Sequence, residues 1–148
     1  MNNIKGIEYD FEKLSPLWRF CFCEGCPRHA DCLRYLTGQQ VPASTTCGHA
    51  VFPTAYRNGD CPHFKEVRVI RAAYGFKPLF RDVKKRDYSV LISKMKAFLG
   101  GHGTYYRYNR GERMLTPEQQ QWILGLFTSY GYTENLAFEH YCDLLDFS

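Results

Sequence analysis

A chain of 148 residues that is 45% hydrophobic and 16% aromatic is long enough to bury a core and too apolar for a disordered chain. Its apolar runs are only a few residues long, so no membrane span is expected. The net charge of +4 hides a partition: residues 65–113 carry thirteen Lys or Arg and four Asp or Glu, whereas 114–148 carry five acids and no Lys or Arg. That asymmetry points to a polyanion partner for the middle of the chain, or to a basic surface packed against an acidic one.

The N-terminus, Met-Asn-Asn-Ile-Lys-Gly, has no apolar core of a secretory signal, so a cytoplasmic protein with reduced thiols is expected. Residues 1–20, with Tyr9, Phe11, Leu14, Leu17, Trp18 and Phe20, read as an arm that packs its aromatics on the core. Then come four cysteines in twelve residues: Cys21, Cys23, Cys26 and Cys32. Glu24-Gly25 and Cys26-Pro27 are turn-like, and a helical pattern runs from about 28 to 36 with Gly38 as its C-cap. Residues 39–60 are irregular, with a short strand near His49–Phe52 and an Asn58-Gly59-Asp60 turn that delivers Cys61. Residues 67–73 suit a half-buried strand or a short helix.

An amphipathic stripe of Tyr88, Leu91, Ile92, Met95, Phe98 and Leu99 predicts a helix over 84–99, ended by Gly100-Gly101. Thr104–Arg113, basic and Tyr-rich, reads as a strand or an extended loop. Thr116-Pro117-Glu118-Gln119 is a helix start with a capping box. A further helix is predicted over 134–145, making 114–148 an acidic helical hairpin. The fold class is therefore α+β: a single small domain with a cysteine-rich metal module at 1–64 and a mostly helical C-terminal half.

Clustered thiols in a reducing compartment point to metal ligands. Cys23-x2-Cys26-x5-Cys32 supplies three thiols locally, and Cys61 arrives 29 residues later to close a four-coordinate site. Cys21 competes with Cys23 for one position. Cys47, His49 and His63 are second-line candidates, and Cys142 reads as a small buried hydrophobe. Zinc is the first expectation, although zinc usually takes two short knuckles and only one exists here. A [4Fe–4S] cluster is the alternative, since a Cys triplet with one remote Cys also suits it. A third reading makes the cysteines buried small hydrophobes without a metal.

On a strand, Tyr106, Tyr108 and Arg110 would share one face; with Arg107 and Arg113 they read as a surface for nucleic acid or an acidic protein. The two C-terminal helices have helix–turn–helix spacing, but the second carries only acids, which excludes groove recognition. No G-x-S-x-G, P-loop, dinucleotide fingerprint or H-E-x-x-H occurs, so a non-enzymatic binding protein is expected. The rival is an iron–sulfur redox or nucleic-acid-processing accessory enzyme.

The combination Cys-Phe-Cys-x2-Cys-Pro-x4-Cys-Leu-Arg, then Cys-Pro-His-Phe-Lys, then Tyr-Tyr-Arg-Tyr-Asn-Arg-Gly-Glu-Arg-x-Leu-Thr-Pro-Glu-Gln-Gln resembles an uncharacterised bacterial domain-of-unknown-function family of gut anaerobes, over nearly the whole chain. The resemblance implies Cys21, Cys26, Cys32 and Cys61 as the shared set, with Cys23 a departure. It implies no activity, and an anaerobic setting would favour a cluster more than composition does.

Overall fold

The computed structural model describes residues 2–148. Its helices and small two-stranded sheets make an α+β fold, and the chain forms two compact units, one of residues 1–69 with 144–148 and one of residues 70–143.

In the first unit, β1 (Asn2–Ile4) and β2 (Ile7–Tyr9) form an antiparallel hairpin. Its two turn residues, Lys5 and Gly6, both have positive φ, the geometry that matches the twist of a tight hairpin. The pleat puts Ile4 and Tyr9 on the buried face. Trp18 follows, also buried, and its indole N–H donates to the Thr37 hydroxyl at 3.1 Å. That hydroxyl, fully buried, donates in turn to the Leu33 carbonyl at 2.8 Å, so neither polar group is left unpaired.

Thr37 belongs to α1 (Leu33–Gly38), which starts later than the sequence pattern predicts because 29–31 form a single 3₁₀ turn instead. Gly38 is the last residue of α1 and not a cap beyond it. Its importance is space: a Cβ there would collide with the carbonyl oxygen of Cys21. Glycine thus lets β3 (Phe20–Cys21) lie directly against α1, while β3 pairs in parallel with β4 (Ala50–Val51).

The predicted Asn58-Gly59 turn is present, with Arg57 and Asp60 exchanging backbone hydrogen bonds of 2.9 and 3.0 Å. The chain then returns to α1: Leu33 donates to the Lys65 carbonyl at 2.7 Å, and Val67 to that of Asp31 at 3.2 Å.

β5 (Val69–Tyr74) and β6 (His140–Leu145), which pair with each other, lie mostly in the second unit. The predicted amphipathic helix is α2 (Lys85–Leu99), which buries Leu91, Met95 and Leu99 at intervals of four. Gly100, left-handed, ends it. In α4 (Pro117–Ser129) the capping box forms as predicted: the Thr116 hydroxyl accepts from the Gln119 amide, and the Gln119 side chain accepts from the Thr116 amide. Ala73, Phe76, Leu91, Met95, Leu115, Ile123 and Phe127 form the centre of this core.

Two predicted elements are corrected. The Tyr-rich stretch is neither strand nor loop but α3 (His102–Arg110), closed by left-handed Gly111. Its buried tyrosines, Tyr105 and Tyr108, are three apart, a helical spacing that β-prone Tyr residues conceal. The helix predicted over 134–145 is interrupted at Asn135, whose φ of +55° is left-handed, and the chain then runs as β6. The expected helical hairpin is thus a helix followed by a strand, because the backbone after Phe138 pairs with β5: Glu139 donates to the Gly75 carbonyl at 3.0 Å. Among the described residues no helix is long and apolar enough to cross a membrane.

Candidate functional site

Cys21, Cys23, Cys26, Cys32 and Cys61 all line one cavity in the first unit, together with His29, His63, Arg34, Tyr35, Val51 and Phe64. The cavity measures ≈ 20 Å³, room for little more than one water-sized sphere. The five thiols come from three places. Cys21 ends β3; Cys23 and Cys26 stand in the turns before α1, with Cys32 as the residue that begins that helix; Cys61 follows the Asn58-Gly59 turn.

Their convergence has local causes. Successive turns are closed by backbone hydrogen bonds from Cys26 to Cys23, His29 to Cys26 and Cys32 to His29, at 3.4, 3.1 and 3.2 Å. An isolated antiparallel bridge between Cys32 and Glu66 holds the returning segment against them. Arg34 fastens the two sides of the cavity, donating to the carbonyls of His63 at 2.8 Å and Arg19 at 3.2 Å while its guanidinium stacks 4.5 Å from the Trp18 ring.

All seven cysteines are free thiols. Burial pushes the Cys21 thiol above its ordinary pKa; the Cys23 amide opposes this, and the neighbouring Cys32, Cys23 and Cys61 sulfurs reinforce it. Burial lowers the Arg34 pKa, which Cys32 and Cys61 oppose and Arg19 reinforces. Thiolates that share one cavity repel one another, and a cation would relieve that repulsion. Among the described residues, however, no three His, Cys, Asp or Glu side chains are already arranged to hold a metal ion.

Of the second-line candidates, His63 lines this cavity, whereas Cys47 and His49 line a different one beside Phe20 and Phe22. His29 was not among the residues singled out by spacing. The signal for it is Cys26-x2-His29-x2-Cys32, in which His29 stands one turn from each cysteine. Cys142 lies half-buried in β6 with its thiol 3.0 Å from the Met114 sulfur.

The basic residues of the second unit are arranged differently from the strand reading. On α3, Tyr106, Arg107 and Arg110 are exposed together along one helical face. Tyr108 faces the core, where it is 5% exposed and its hydroxyl accepts from the Gln119 amide group at 3.3 Å, so it offers no open ring for stacking. Arg113 places its guanidinium 5.2 Å from that ring, and Arg110 pairs with Glu112 at 3.1 Å.

Comparison with curated proteins and with solved structures finds no match. The profile of a family of unknown function, DUF6078, does match, over residues 2–147, and the chain belongs to that family.

Proposed function

We propose that the first unit binds a metal ion through thiolates drawn from Cys21, Cys23, Cys26, Cys32 and Cys61, and that the metal is structural. The observation that carries this reading is the meeting of five thiols, from segments 40 residues apart between Cys21 and Cys61, around one small cavity. The donor set is soft, as zinc and iron–sulfur clusters require. The cavity size favours a single ion, hence zinc, over a cubane cluster, which would need the sulfurs to spread. A bound ion would tie down the irregular residues 39–68, which contribute little core of their own.

Protein purified without oxygen and assayed for metals should be colourless and contain one zinc per chain. A brown protein with iron and sulfide would favour the second reading, an iron–sulfur redox or nucleic-acid-processing accessory role, which the same thiols support. Protein with neither metal, and unable to take up added zinc, would sink both.

The second part of the proposal is a cytoplasmic protein whose basic stretch, through Tyr106, Arg107, Arg110 and Arg113, binds nucleic acid or an acidic protein surface. The exposed face of α3 supports it. Salt-sensitive retention on single-stranded DNA or heparin, weakened by Arg107→Ala with Arg110→Ala, is the expected result; no retention at low salt would count decisively against it.

A further inference from the structure

Resting on the metal-binding reading, we infer that His29 is itself a ligand, coordinating through Nε2 beside Cys26, Cys32 and Cys61, and that Cys21 and Cys23 stand outside the coordination sphere.

Three independent features of the structure lead there. The first is the ring's hydrogen bond. His29 Nδ1 lies 2.6 Å from the carbonyl oxygen of Cys26. A carbonyl only accepts, so Nδ1 carries the proton, and in the neutral ring Nε2 holds the lone pair. Metal-bound histidines use this same arrangement, one nitrogen anchored on a backbone carbonyl and the other on the ion. Among the described residues the structure gives Nε2 no hydrogen-bond partner.

The second is position. His29 lines the cysteine cavity, and its ring is steadied edge-on against Tyr35 with centroids 4.8 Å apart. The third is the period of the backbone. The bonds from His29 to Cys26 and from Cys32 to His29 make two consecutive three-residue turns, and side chains three apart in such turns eclipse one another. Cys26, His29 and Cys32 recur at this interval and all line the cavity, which Cys61 reaches from the returning segment held by the Cys32–Glu66 bridge. Three thiolates and one imidazole complete a tetrahedral zinc site. Those four donors fill the tetrahedral sphere, which leaves no position in it for Cys21 or Cys23.

Cobalt(II) substituted for zinc distinguishes these donor sets, because its visible ligand-field bands and its sulfur-to-metal charge-transfer intensity depend on how many thiolates bind. The experiment titrates cobalt chloride into the metal-free, reduced full-length protein, with each variant in parallel. The wild-type spectrum should be that of three thiolates and one nitrogen. His29→Ala should shift the ligand-field bands and weaken cobalt binding by more than the roughly 10–100-fold that loss of a merely orienting residue costs. His29→Cys should restore tight binding with added charge-transfer intensity, which shows the chain still folds and that the position reaches the ion. Cys21→Ser and Cys23→Ser should both leave the spectrum unchanged.

A His29→Ala protein with the wild-type spectrum overturns the assignment, as does loss of charge-transfer intensity in Cys21→Ser or Cys23→Ser. Wild-type protein that binds neither cobalt nor zinc removes the metal-binding reading itself, and the ligand assignment with it. Cobalt binding that is intact in wild type and indifferent to His29 removes only the assignment.

Discussion

The two units are built on unequal cores. The second buries twelve side chains in one cluster, from three helices of nine residues or more and the strand β5 with its flanking turns. Among the described residues the first buries five in its cluster (Ile4, Tyr9, Trp18, Leu33 and Leu145) and has one α-helix, of six residues. What it has in addition is a network of specific links: the Trp18–Thr37–Leu33 hydrogen bonds, the Arg34 clamp on two carbonyls, and the thiols gathered between them. Where apolar burial is scarce, polar and metal cross-links usually supply the missing stability. The contrast puts the cysteine cavity in the unit with the thinner hydrophobic core.

The proposed metal offers the largest test of that contrast. The chain has two tryptophans, Trp18 in the first unit and Trp122 in the second, so each unit carries its own reporter. A strong chelator added to Trp122→Phe protein should shift the emission of buried Trp18 to the red as the indole becomes hydrated. The same treatment of Trp18→Phe protein should leave the Trp122 signal unchanged. If Trp18 stays buried after complete metal removal, the first unit needs no metal cross-link.

The opposite test attacks the larger core. Phe127 is fully buried, and Phe127→Ala should cost about 3–5 kcal/mol in denaturant unfolding followed at Trp122. Zinc content should not change; a loss of zinc in this variant would mean that the two cores do not act separately.

A smaller effect is expected at Gly38. Gly38→Ala forces a methyl group against the Cys21 carbonyl and should cost about 1–3 kcal/mol, through displacement of β3 from α1. The loss should be seen at Trp18 and in weaker metal binding. A variant with unaltered stability would show that this close approach is not needed.

The smallest effect concerns acid. The Ser148 hydroxyl and amide hold the Asp146 carboxyl below its ordinary range, helped by Lys65 and Arg68 and opposed by burial. Since the folded-state pKa is the lower one, the stabilisation is complete above roughly pH 4 and is lost as the pH falls through the folded value. Asp146→Asn should therefore be less stable than wild type at neutral pH, and the gap should close in acid. Parallel curves at all pH values would rule this contribution out.

Elements specified by neighbouring residues were readable from the sequence alone. The stripe Leu91, Met95, Leu99 and the Thr116–Gln119 capping box are local patterns, and α2 and α4 lie where these patterns put them. The Asn58-Gly59 turn is of the same kind. The sequence also determined that thiols are concentrated in one region, and it marked Cys61 as the distant member of the group.

Only the tertiary structure decided the rest, because the deciding partners are far away in the chain. Tyr105 and Tyr108 fit a strand or a helix equally well until burial chooses the three-residue interval, and this choice turns Tyr108 from a binding candidate into a core residue. The apolar residues after Asn135 fit a helix until β5 and Gly75 just after it offer their backbone to strand pairing, Gly75 accepting from Glu139, 64 positions later. Cys47 and His49, second-line candidates by spacing, follow the β3–β4 pairing to another cavity. His29 gains its eligibility from a hydrogen bond to Cys26 and from the cavity it shares with the thiols, neither of which a list of residue types can express.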